Sequence, residues 1–423
     1  MTAFATAPLP RSRDDALAED LADPLAAYRG AFRIDESGPI YLDGNSLGRQ
    51  PEATAPAVGD LLAEWEHELI GGWQGWEQRL FAVGDEVARL LGARPGEVVI
   101  SDSTTVNCYK LAVAALDARP GRARVLGDAN DFPTVRYVLE GICASRGLRL
   151  ELLENDPGEG LDEAQVAAAL DEDVALVCVS GTNYRSGSTL DLGALCAAAH
   201  GAGALVLVDL SHTAGSVPVD LERAGVDLAV GCTYKYLNGG PGAPAWLYVR
   251  SALQTQLRQP IWGWWGQKDQ FAMGPHYDPA PGIARFLTGS PTMLALAAVR
   301  AGIAPLLEVG MDTLWDKTRR LVALLARRVE ERCVGLGARL ASPSDPTRRG
   351  GHLAIAHEHA FSACRLLAER GLVIVDFRGP DVIRLAPVAI STRAVDVWDA
   401  IEHLAAVLAD PAVREARPRT RFT

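Results

Sequence analysis

Between residues 97 and 250, seven short apolar runs recur with room for a helix between most of them, and this alternation constrains the fold more than any other feature. The runs are EVVI (97–100), RVLG (124–127), LRLELL (148–153), VALVCVS (174–180), ALVLVD (204–209), DLAVGC (227–232) and APAWLYV (243–249). Ala-rich stretches such as TVNCYKLAVAALDA and LGALCAAAH separate several of them. Continuous apolar strands alternating with helices build a mainly parallel central sheet covered by helices on both faces, an α/β fold. Long helical patterns follow from Pro291 to Arg332. The last ninety or so residues read as a smaller α+β unit: GHLAIAHE, a helix FSACRLLAERG, LVIVDF, DVIRLAP and a helix AVDVWDAIEHLAAVLAD. The division expected is an N-terminal segment (1–50), a large α/β domain (51–300) and a small C-terminal α+β domain (301–423), in keeping with the 423 residues.

A net charge of −12 argues against nucleic acid or an anionic membrane as the main partner. The basic C-terminal REARPRTRFT reads as a frayed tail. No apolar run reaches the ~18 residues of a transmembrane helix. The start, MTAFATAPLPRSRDDALAED, has no apolar core after its charges, as a signal peptide would, and acids directly follow Arg11 and Arg13. Seven scattered cysteines without a C-x-x-C pair suggest buried thiols in a reducing cytoplasm rather than disulfides or a metal site.

Ligands of such sheets gather at the carboxyl ends of the strands. There ALVLVD ends on Asp209, followed by His212, and Lys235 comes after the run DLAVGC, within GCTYKYLNGGPG. An acid at one strand end and a lysine at the next suit pyridoxal 5'-phosphate. The carboxylate keeps the pyridine nitrogen protonated and the lysine forms the Schiff base. Ser103, Thr104 and Thr105 directly precede a helical stretch, where a phosphate finds free N–H groups. Phe132 offers a ring to stack on the cofactor. Each feature also has an ordinary reading: a helix cap, a strand-end turn, a core phenylalanine, a structural histidine, a glycine turn. Their order along one chain is what points to a fold-type-I pyridoxal phosphate enzyme.

The stretches YLDGNSLGRQP (41–51), STTVN (103–107), FPT (132–134), NYRSG (183–187), DLSH (209–212), TYKYLNGGPGAP (233–244), GWWG (263–266), FLTGSP (286–291) and VIRLAP (382–387) together resemble the kynureninase family, within the class V aminotransferase superfamily. The likeness spans residues 40 to 390, with GNSLG and YKYLN-G its most specific parts. It implies a homodimer with active sites at the subunit interface. The implied reaction is hydrolysis of L-kynurenine, or its 3-hydroxy form, to the corresponding anthranilate and L-alanine. It further implies Lys235 as the Schiff-base lysine, Asp209 at the pyridine nitrogen with His212 beside it, and Phe132 stacked on the ring. Thr104, Thr105, Thr134, Ser180, Tyr234, Trp264 and Ser290 would help hold the cofactor. Arg384 would grip the substrate α-carboxylate near Ser46, and Tyr234 would transfer a proton at the carbonyl.

Three departures bear on the substrate. Where the family continues FPT with an acid, this chain has Val135. Asp131 lies nearby in sequence, on a segment read as extended. Gln267 stands where the family often has histidine, and Trp73 and Trp76 lie where some relatives place a histidine near the aryl ring. These leave open an altered kynurenine substrate, another class V lyase or transaminase, or a protein that binds the cofactor without catalysis. A desulfurase would need a cysteine on a mobile loop, whereas Cys333 and Cys364 sit in helical patterns.

Overall fold

The computed structural model describes residues 8–415, so most of the basic C-terminal tail and the first seven residues lie outside it. The seven apolar runs form one seven-stranded sheet: β1 (Val98–Ile100), β2 (Arg124–Asp128), β3 (Arg149–Leu153), β4 (Val174–Ser180), β5 (Leu205–Asp209), β6 (Leu228–Gly231) and β7 (Trp246–Val249). Their spatial order is β1-β7-β6-β5-β4-β2-β3. Five strands, β2 to β6, pair in parallel, and β7 runs antiparallel to both β6 and β1. β2, β5, β6 and β7 are buried along their whole length, as both-face apolar runs require.

Local chemistry sets the helices between them. Ser103 caps the helix Thr104–Asp117 by accepting the Val106 N–H. Pro133 opens the helix Pro133–Arg146, and Gly147 closes it in the left-handed region at φ 65°. The Asp191 side chain accepts the N–H groups of Gly193 and Ala194 at the start of Leu192–Gly201.

A second hydrophobic core lies under a four-stranded antiparallel sheet, with β8 (Arg339–Leu340), β9 (Leu353–Ala356), β10 (Asp376–Arg378) and β11 (Val382–Leu385) in the order β10-β11-β9-β8. Residues near the N-terminus build into this core: Ala16 and Leu42 are fully buried in it. The helix Arg13–Leu21 lies on Ala394–Ala409, joined by an Arg13–Asp399 ion pair of 2.7 Å. The strand Ile40–Tyr41 pairs in parallel with Val373–Ile374. The run LVIVDF, read as one strand, therefore splits in two, with the second half turning to join β11 as β10.

Among the described residues no single helix is long and apolar enough to cross a membrane. All seven cysteines are free and buried. The described residues hold no cluster of His, Cys, Asp and Glu suited to a metal ion.

Candidate active site

The parallel strands end together on one side of the sheet, and the register sets Ser180 of β4 beside Asp209 of β5. Lys235 follows β6 by four residues. These strand ends, the starts of the helices Thr104–Asp117 and Pro133–Arg146, and Tyr184 enclose a cleft of about 180 Å³. Thr104, Thr105, Phe132, Thr134, Ser180, Asp209, His212, Tyr234 and Lys235 all line it.

Lys235 Nζ lies 2.9 Å from His212 Nε2, and 5.9 and 5.8 Å from the ring centres of Phe132 and Tyr234. Phe132 is 40% exposed, which leaves its face open to a planar partner across the cleft. Asp209 is buried; burial raises its pKa, while hydrogen bonds from Ser211 and the charge of Lys235 pull the other way. Burial, reinforced by Lys235 and Arg384, holds the His212 imidazole well below its ordinary value, so it is neutral. Burial raises the Tyr234 phenol, keeping its proton in place. The glycines following Lys235 serve close packing: a Cβ on Gly239 would sit 2.9 Å from Thr233 Oγ1. Gly48 of GNSLG donates its N–H to the Tyr234 carbonyl at 2.8 Å, and a Cβ there would lie 2.3 Å from the Lys235 carbonyl. The two most specific stretches of the sequence thus touch each other.

Arg384 and Ser46 meet next to this cleft rather than in its wall. Arg384, 1% exposed on β11, donates to both oxygens of Asp376, to the Tyr184 carbonyl and, at 3.2 Å, to Ser46 Oγ. Ser46 Oγ also donates to Asp376 at 2.8 Å, and Arg378 pairs with the same carboxylate at 2.7 Å. Burial works to raise Asp376, but the two guanidinium groups outweigh it and its pKa falls. Tyr184 and Asp376 were not singled out individually, although NYRSG and LVIVDF contain them. Nothing in the spacing signals that Asp376 would leave its strand's line to meet an arginine eight residues on.

Trp264 and Ser290 are placed elsewhere. Ser290 accepts from Trp265 Nε1 at 3.0 Å and lines a hollow with Ser101 and Asp102, and Trp264 is 44% exposed. Neither lines the Lys235 cleft of its own chain. Gln267 is also remote: its Oε1 accepts the Asp278 N–H at 2.7 Å and holds a local loop. Trp73 packs against Trp76 and Trp265, with ring centres 5.4 and 5.2 Å away.

Position 135 is corrected in one respect. The segment is not extended at this point, because the helix begins at Pro133. Val135 is buried in the cleft wall, whereas Asp131 tucks beneath Ser180, accepting from its hydroxyl and, at 2.6 Å, from the Phe132 N–H.

The residues fit pyridoxal phosphate: a capped helix start with two threonines for the phosphate, a buried carboxylate for the pyridine nitrogen, an open aromatic face and an amine within reach. Comparison with known proteins agrees. The model described as the kynureninase C-terminal domain matches residues 314–404. The kynureninase of Burkholderia pseudomallei (strain K96243) is 40% identical over 420 residues, covering 97% of this chain and 99% of the relative. That of Pseudomonas fluorescens is 39% identical over 406 residues, covering 94% and 95%. Among solved structures, a C-DES mutant with glycine covalently linked to the PLP cofactor superposes with a TM-score of 0.77 at 19% identity, covering 88% of this chain and 97% of that one. The apo cysteine desulfurase of Thermococcus onnurineus NA1 gives 0.78 at 16%, covering 94% and 98%. These two share the fold. The bacterial relatives match end to end at twice that identity, and the chain belongs to the kynureninase family.

Proposed function

We propose that the chain is a pyridoxal phosphate enzyme that hydrolyses L-kynurenine or 3-hydroxy-L-kynurenine, giving anthranilate or 3-hydroxyanthranilate together with L-alanine. The observation that carries this reading is the Lys235–His212–Asp209 arrangement at the strand ends, on a chain 40% identical throughout to kynureninases.

The cofactor, when bound, supplies an electron sink for the carbanions formed at the substrate. The chain's own residues do the rest. Thr104 and Thr105, in the first turn of a helix whose Val106 N–H is already capped by Ser103, hold the phosphate with Thr134 and Ser180 nearby. Asp209 holds a proton at the pyridine nitrogen, Phe132 covers the ring and Lys235 moves the Cα proton. Arg384 would grip the α-carboxylate beside Ser46; its fork is taken by Asp376, so that pair would have to open for the substrate. Tyr234, protonated at neutral pH, donates a proton near the carbonyl.

The reading extends to a cytoplasmic homodimer. Trp264 and Ser290, turned away from their own cleft, would serve the cofactor site of the second copy. A desulfurase-type reaction lacks support, since every cysteine is buried.

The test is a visible spectrum and a product assay on one purified sample. Lys235→Ala is expected to abolish the cofactor band and the release of anthranilate and alanine, at least a ~1000-fold loss, as for other covalent catalysts. A wild-type band with no cleavage of either kynurenine would overturn the reaction but keep the cofactor.

A further inference from the structure

Behind Lys235 lies a second histidine that the roles above do not use. The chain enters the small sheet through Gly350-Gly351-His352, and it passes unusually close to the large unit. A Cβ on Gly351 would lie 1.7 Å from Ser216 Oγ, and a Cβ on Gly187 would lie 2.6 Å from the His352 carbonyl. The Gly350 N–H donates to the Gly187 carbonyl at 2.7 Å. This close passage carries His352, fully buried, to His212, with ring centres 5.6 Å apart and planes at 57°.

The hydrogen bonding of the pair is incomplete on one side only. His212 Nε2 meets Lys235 Nζ, while His212 Nδ1 and both ring nitrogens of His352 are buried without a partner among the described residues. An ammonium or amine donating from Lys235 requires a lone pair on Nε2, which puts the His212 proton on Nδ1. That N–H then needs an acceptor, and the imidazole packed beside this ring is His352. The groups around the pair are Lys235, Arg384, Arg378 and Asp376, with the Arg185 backbone near enough to His352 to favour a proton on one of its nitrogens and leave the other as an acceptor. Burial first, then Arg384, holds His352 down to about 3, so it is neutral and has a lone pair to offer.

We propose that His352 is a positioning residue for the Lys235 site: accepting the His212 Nδ1–H through one bridging water, it fixes the tautomer whose Nε2 receives Lys235. The relation matches other sites in which the hydrogen bond at one imidazole nitrogen decides what the other can do. It concerns the free amine, so it stands apart from the choice of substrate.

The experiment uses the full-length chain without cofactor and with ¹⁵N-labelled histidine. In the wild type, His212 is expected to be a single tautomer with the proton on Nδ1. His352→Leu should give a mixture, and His352→Gln, whose side-chain oxygen accepts, should restore one form. An amine-directed acylating probe at pH 7 should label Lys235 about threefold faster or more in His352→Leu, because the amine loses a fixed hydrogen-bond partner, and at the wild-type rate in His352→Gln. A wild-type His212 protonated at Nε2 overturns the proposal without any variant, which covers the case of a misfolded one. An unchanged tautomer and labelling rate in His352→Leu overturn it equally.

Discussion

Burial pushes the Asp131 carboxyl up to about 7, helped by the neighbouring Asp128 and opposed by the Ser180 hydrogen bond. The group accepts from Ser180 and from the Phe132 N–H, so it holds in place both a cleft-wall hydroxyl and the ring that faces Lys235. Its proton binds more tightly in the folded chain than in the unfolded one. The stabilisation it gives is therefore complete below about pH 4 and is lost as pH rises through about 7. Asparagine mimics the protonated acid. Asp131→Asn should thus gain stability relative to wild type as the pH goes from 5 to 8, by up to a few kcal/mol. Urea unfolding at the two pH values checks this, and a pH-independent difference would refute it. At this scale the sequence was partly legible. Lys235, Asp209, His212 and Phe132 could be named because strand ends are visible in the pattern. Asp376 and His352 could not, and Asp131 was named without its role, since their importance comes from contacts with residues that are distant in the chain or belong to another element.

The helix Thr104–Asp117 shows what an element contributes. Its start was readable, because Ser103 before two threonines is a cap by composition alone. Its seating was not: Lys110, completely buried, reaches Asp102 at 2.6 Å and the Phe286 carbonyl at 2.8 Å. A lysine in an Ala-rich helix gives no hint of that. Ser103→Ala removes the acceptor for the Val106 N–H and should cost about 1 kcal/mol of stability. If this helix start holds the phosphate, cofactor affinity should also fall, by roughly tenfold or less, since a loosened N-terminus presents its N–H groups less well. Thermal unfolding and a cofactor titration on the same variant separate the two effects. The strand pattern served equally well in the large sheet, where both faces are covered. It failed at LVIVDF, because Asp376 is drawn towards Arg384 and Arg378 and breaks the run.

At the scale of the molecule, the chain closes on itself: residues from 13 to 42 complete the core begun after residue 320, and Gly48 docks on the Lys235 loop. No local pattern near the N-terminus announces this, which is why the first fifty residues read as a separate segment. Among the described residues, one large apolar surface is left without a covering element. Leu61, Trp65, Leu69, Ile70, Trp73 and Met293 line a groove of about 570 Å³, with Ile70 82% exposed. An exposed apolar surface of this kind marks a place where another surface sits. It adjoins Pro291 and Thr292, immediately after Ser290, so a second copy seated here would bring Trp264 and Ser290 towards a cleft other than their own. A double variant, Trp65→Glu with Ile70→Glu, buries two charges in such an interface and should weaken association by several kcal/mol. Sedimentation should show a dimer for the wild type and a monomer for the variant. The monomer should also bind cofactor more weakly, because the two residues from the second copy are missing. A variant that is monomeric yet binds cofactor and turns over like the wild type would show that each chain is sufficient alone and that Trp264 and Ser290 have no part in the site.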